Sequence, residues 1–196
     1  MARQIAILGW GSLIWCPGSL LIKSGWHRDG PTLPIEFARV SNDGRLTLVI
    51  HPESPEQQTL WAAAVSEDVN VVRKNLRQRE GTSGGFIHSA IADGQFSEGV
   101  STVVRDAIAK WLKEHTENHG CVWTGLVSNW IDKRKTDFTV PLAILYLKDL
   151  PDESRALARE YIRNAAAQIQ TAVRDAAREQ LQWDDAELSS DLFEVG

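Results

Sequence analysis

Glu80 is the first residue whose type and position suggest chemistry. Val69, Val72 and Leu76 stand at i, i+3 and i+7, the spacing that gathers side chains on one helix face, and the next place on that stripe, i+11, is Glu80. Eleven steps of about 100° return it to within about 20° of Val69, while Arg73, Lys74, Arg77 and Gln78 take the solvent side. A carboxyl therefore occupies a place where the pattern calls for a hydrophobe, and local rules break in this way at functional sites. Burial disfavours the charged form of such an acid, which suits it to accept a proton and return it within one turnover. The same pattern also fits an acid at a frayed helix end that points to water or pairs with Arg79.

The second group is the run Ile5-Ala6-Ile7-Leu8-Gly9-Trp10-Gly11-Ser12-Leu13-Ile14-Trp15. Its four leading apolar residues read as a short buried strand. Two glycines around one aromatic let the backbone take positive φ and let a ligand approach the main chain closely. Consecutive N–H groups in such a turn can receive an anion or a carboxylate. Phosphate motifs do not fit. A dinucleotide fingerprint needs a third glycine where Ile14 stands. A P-loop ends in Gly-Lys-Ser/Thr, which the chain lacks.

Gly9, Gly11, Ser12, Leu13, Ile14 and Trp15 resemble the Tyr-Gly-Ser-Leu-Ile-Trp or Tyr-Gly-Ser-Asn signature of the γ-glutamylcyclotransferase superfamily, including its ChaC-type branch, with Trp10 where the family has tyrosine. Leu76-Arg77-Gln78-Arg79-Glu80-Gly81-Thr82-Ser83-Gly84-Gly85-Phe86 resembles the family's segment in which a catalytic glutamate follows a leucine-bearing helix, with Phe86 where tyrosine is frequent. The resemblance covers residues 5–91, with a weaker echo around 152–162, and residues 97–149 look like an elaboration. It implies a small mixed, partly closed β-barrel with helices packed around it. It further implies a reaction without cofactor or metal, in which the free α-amine of a γ-glutamyl peptide or amine, glutathione among them, attacks its own γ-carbonyl and releases 5-oxoproline. Glu80 would carry the proton from nucleophile to leaving amine. Gly9, Trp10, Gly11, Ser12, Leu13 and Ile14 would bind substrate, the amides of Gly11, Ser12 and Leu13 holding a carboxylate or the developing oxyanion. Ser12 would be a hydrogen-bonding residue rather than a nucleophile, and Trp10 and Trp15 pocket walls. Trp10 and Phe86 in place of tyrosines leave open a non-catalytic member of the same fold that binds a small ligand or a protein through the loop.

Other chemistries fit less well. Gly81-Thr82-Ser83-Gly84-Gly85 satisfies Gly-x-Ser-x-Gly, but that motif needs a strand before the serine and a helix after it, and here the pattern reads in reverse. His115 and His119 are spaced to share a helical face, yet Glu117 is one place off the zinc-protease pattern and no third ligand is evident. Cys16, beside the glycine loop, reads as packing. The net charge of −5 argues against nucleic acid, and Lys133-Arg134-Lys135 reads as a solvated turn. Two cysteines give no disulfide framework, so a reducing cytoplasm is expected. No apolar run reaches membrane-spanning length, and the N-terminus shows no basic-then-apolar signal.

The elements that must position these groups follow from periodicity. The glycine and proline residues of 17–34 read as an extended surface excursion. Ile35, Phe37 and Arg39, then Leu46, Leu48 and Ile50, alternate on either side of Asn42-Asp43-Gly44 and predict a hairpin. Residues 52–58 read as a polar loop and 60–65 as a strand. Asp68 opens the Glu80 helix and Gly81 stops it. A strand over 86–91, a helix over 103–112, a strand over 121–127 and a helix capped by Thr139 with Pro141 in its first turn come next. From Asp152 onward a continuous helical pattern places Leu157, Tyr161, Ala165, Ile169 and Val173 on one stripe. Strands dominate the first half and helices the second, which predicts α+β. The chain reads as a single domain over residues 1–183 with an acidic tail over 184–196.

Overall fold

A computed structural model describes residues 4–183; the acidic tail expected at 184–196 lies outside them. The fold is mixed α+β, with two sheets and six α-helices among the described residues. In chain order the strands are β1 (Gln4–Gly9), β2 (Thr32–Val40), β3 (Leu46–Ile50), β4 (Glu56–Gln58), β5 (Leu60–Ala63), β6 (Ile87–Ile91) and β7 (Asn118–Thr124). The helices are α1 (Val69–Glu80), α2 (Thr102–Glu114), α3 (Trp130–Arg134), α4 (Val140–Lys148), α5 (Asp152–Asn164) and α6 (Ala172–Leu181). No described helix is long and apolar enough to cross a membrane. The chain forms two compact units, one of residues 4–33 with 58–126 and one of residues 34–57 with 127–183.

In the first unit the strands run in the order β5-β1-β7-β6. β1 is antiparallel to β5 and parallel to β7, and β6 is antiparallel to β7. Ile7 stands opposite both Ala62 and Val122. Strand side chains alternate between faces, so Ile5, Ile7 and Val122 share one. Val72 and Leu76 of α1 cover it, joined by Leu13, Leu20, Ala64 and Ile87. The ends of α1 form as their residues dictate. The Asp68 side chain accepts the Asn70 amide at 2.8 Å. Gly81 takes a left-handed conformation, φ +59°, and returns its N–H to the last turn.

The segment over 17–34 is more than a surface excursion. Ile22 bridges to Ala64 and His27 to Trp61, so it runs beside β5. Asp29 ties it down: its carboxylate accepts the Trp61 indole N–H at 2.8 Å and lies 3.2 Å from His115 Nε2, and its carbonyl accepts the Trp111 indole N–H at 2.7 Å. Burial pushes the Asp29 carboxyl up, but the bonds from Trp61 and His115 outweigh it and hold the group below the ordinary aspartate value. The glycines and prolines there mark bends and do not show whether the chain leaves the sheet.

The second unit holds the expected hairpin. Ile35 faces Ile50, Phe37 faces Leu48 and Val40 faces Leu46, with the register slipping after Phe37. On the other edge of β2 lies β4, where the sequence reads as a polar loop. Thr139 caps α4 by accepting the Leu142 amide at 3.3 Å, with Pro141 in the first turn. The single helix expected from Asp152 is two helices, α5 and α6. Ala165 turns extended, ψ 137°, and Thr171 begins α6 as its cap. Arg174, 3% exposed, donates to the carbonyls of Ala165, Ala166 and Ile169, which supplies the partners that a continuous helix would have given them. Tyr161, Ala165, Ile169 and Val173 are buried as expected, whereas Leu157 is exposed.

Glu36, 1% exposed, lies at the start of α6. Burial raises its carboxyl above the ordinary glutamate value, against hydrogen bonds from the Thr171 hydroxyl and the Phe37, Val173 and Ala172 amides. A raised folded-state value gives stability that is full below the unfolded-state value and lost as pH rises through the folded one. The stability of the parent minus that of Glu36→Gln should therefore shrink as pH rises from about 4 to about 7. Urea titrations across that range check it, and a difference that grows with pH contradicts it.

Candidate functional site

β1 runs directly into the glycine loop. Residues 11–16 wind into successive turns, the Ile14 amide donating to the Gly11 carbonyl at 3.0 Å and the Cys16 amide to the Ser12 carbonyl at 2.8 Å. The winding takes up the amides of Ile14 and Cys16. Those of Gly11, Ser12 and Leu13 make no hydrogen bond among the described residues, so three consecutive donors are left at the mouth of the turn. Trp10 and Gly11 are buried, Ser12 and Ile14 are half-buried, and the Leu13 side chain belongs to the core beneath α1.

The glycines do not act as their pattern suggests. Positive φ occurs among the described glycines at Gly18, Gly44, Gly81, Gly94 and Gly99, and at neither Gly9 nor Gly11. At Gly9 a Cβ atom would lie 2.7 Å from Trp26 Cζ3 and 2.8 Å from Trp26 Cη2. The space above this glycine is filled by an indole of the chain itself, so Gly9 serves close packing at the end of β1 rather than the approach of a ligand.

Glu80 ends the apolar stripe of α1 and its side chain is 15% exposed. Of the placements the sequence leaves open, the structure shows an acid drawn inward and paired. Arg79 Nη1 donates to Glu80 Oε1 at 2.7 Å. The same guanidinium reaches across to the loop: Nη2 donates to Ser12 Oγ at 3.2 Å and to the Cys16 carbonyl at 2.6 Å. The two motifs, 67 residues apart from Arg79 to Ser12, thus meet on one cation. Glu80 Oε2 makes no hydrogen bond among the described residues. Bonds from a guanidinium to a carboxylate are about twice as strong as neutral ones, which fixes one oxygen of Glu80 and leaves the other available.

Arg79 is legible in the sequence only as a possible partner of Glu80. The pairing with Glu80 is one of the placements the sequence leaves open, but nothing in the local pattern shows that the same side chain spans to Ser12. The remaining candidates lie elsewhere. Ser83 is exposed, with α1 before it and, after a 3₁₀ turn, β6 behind it, the reverse of a nucleophile elbow. Phe86 is 40% exposed. Cys16 is exposed rather than packed. His115 caps the end of α2 while His119 lies in β7, so they do not share a helical face. Among the described residues, no three of histidine, cysteine, aspartate and glutamate gather closely enough to hold a metal ion.

No protein-family model, curated protein sequence or solved structure matches the chain significantly.

The Trp26 contact yields a direct check on how the loop is set. Gly9→Ala should lower stability by about 1–3 kcal/mol through overpacking, and the loss should fall by at least half in a Trp26→Leu background. A double-mutant cycle by urea denaturation measures this; equal losses in both backgrounds contradict it.

Proposed function

We propose that the chain is a γ-glutamylcyclotransferase-like enzyme that releases 5-oxoproline from a γ-glutamyl peptide or amine, with Glu80 as general acid and base. The observation that carries this reading is the meeting of Glu80 and the glycine loop on the Arg79 guanidinium, with one carboxylate oxygen and three consecutive amides left for a substrate. In this reading the substrate α-ammonium first loses one proton to solvent, the neutral α-amine attacks the γ-carbonyl carbon, and its nitrogen, made positive by the new bond, gives a second proton to Glu80 Oε2. Negative charge on the carbonyl oxygen is met by the amides of Gly11, Ser12 and Leu13. The carbon–nitrogen bond to the departing amine then breaks, and that nitrogen takes the proton back from Glu80. The proton balance closes on one carboxyl, so no cofactor is called for. Nucleophile and electrophile belong to one molecule, so holding it folded supplies much of the acceleration. In this reading the four-stranded sheet with α1 across it is part of the family's partly closed barrel, and the compartment is the cytoplasm.

A second reading, a non-catalytic binder of the same ligands, draws on the buried Trp10 and the exposed Phe86, where the family's tyrosines would supply hydroxyls. Turnover separates the two. Purified protein incubated with glutathione and a panel of γ-glutamyl amino acids and amines should release 5-oxoproline detectable by mass spectrometry. Glu80→Gln, which keeps shape without the proton shuttle, should be slower by about 10²–10⁴-fold. Absence of product from every panel member, or equal rates from the variant, contradicts the enzyme; binding without turnover favours the second reading.

A further inference from the structure

We propose that Arg79 is the positioning residue of this site, setting the Ser12 hydroxyl and the Glu80 carboxyl in complementary roles toward a γ-glutamyl substrate; this rests on the reading above. A guanidinium only donates hydrogen bonds. At Ser12 it occupies an acceptor position of Oγ, at 3.2 Å, so the hydroxyl's own hydrogen is left to point away from Arg79. That hydrogen joins the free amides of Gly11, Ser12 and Leu13 as a fourth donor beside a fixed positive charge. Such a cluster suits the α-carboxylate of a γ-glutamyl group. At Glu80 the guanidinium takes Oε1, which leaves Oε2 to meet the neighbouring α-ammonium. The third bond, 2.6 Å to the Cys16 carbonyl, fastens the far end of the turn to the end of α1. Arg79 is 14% exposed and its three acceptors lie on the turn of residues 11–16 and at the end of α1, so its planar fork is committed to this junction. Lysine, a point charge on a flexible stem, could keep the charge but not span the three acceptors.

The test compares Arg79→Ala and Arg79→Lys with the parent in two measurements. The first is 5-oxoproline release from the panel substrate that turns over fastest, with kcat and KM taken from about pH 5 to about pH 9. The second is amide hydrogen exchange across residues 11–16. Arg79→Ala should lower kcat by about 100-fold with KM changed by less than about tenfold. The amides of Ile14 and Cys16 should exchange faster. Arg79→Lys should recover part of kcat. A kcat for Arg79→Ala within about threefold of the parent, or unchanged exchange across the turn, would overturn the proposal. If the parent itself releases no 5-oxoproline, the proposed reaction falls, and the exchange measurement alone decides whether Arg79 sets the loop: faster exchange upholds that role and unchanged exchange removes it.

Discussion

The face formed by Ile5, Ile7 and Val122 has to be covered, and α1 is the element that covers it. Each fully buried valine, leucine or isoleucine contributes about 1.5–3 kcal/mol, so Val72 and Leu76 with their partners hold α1 against the sheet far more firmly than any single polar contact could. The position of Glu80 follows from that packing. The stripe that buries Leu76 carries the carboxyl one turn further, to the end of α1 where Arg79 reaches the loop that follows β1. Hydrophobic burial thus sets the distance between acid and loop.

Polar interactions then set orientation. The free amides of Gly11, Ser12 and Leu13 arise because a turn cannot satisfy its own first donors, and the Arg79 fork takes one oxygen of Glu80 while leaving the other. A hydrogen bond to a charged group contributes about 1.5–3 kcal/mol, enough to choose a rotamer and too little to move a helix. Trp26 on Gly9 closes the other side of the β1 terminus with an aromatic wall from the 17–34 segment, itself tied down by Asp29.

Much of this was legible from periodicity. The Glu80 helix, its Asp68 cap and its Gly81 stop, the hairpin on either side of Asn42-Asp43-Gly44 and the Thr139 cap are local features whose signals lie within a few residues of each other, and each formed as read. What escaped was non-local. The break between α5 and α6 depends on Arg174 reaching back to three carbonyls, and a run of helix-forming residues with a matching stripe carries no trace of it. β4 pairs through its backbone on the edge of β2, so its polar side chains give no strand signal. Gly9 looked like a place for ligand approach because composition shows that a side chain is missing, not which neighbour takes its room. Arg79 was legible only as a possible partner of Glu80, because the local pattern carries no trace of its reach to Ser12 and Cys16.

The central claim is that the loop and Glu80 form one site for a small γ-glutamyl group, and a titration of the ¹⁵N-labelled protein with 5-oxoproline, read amide by amide in NMR spectra, tests it most directly. Saturable shifts are expected at Gly11, Ser12 and Leu13 and at the Arg79–Gly81 end of α1, both sets following one binding curve. Shifts confined to other parts of the chain, two sets with different curves, or no saturable shift at either motif would contradict it.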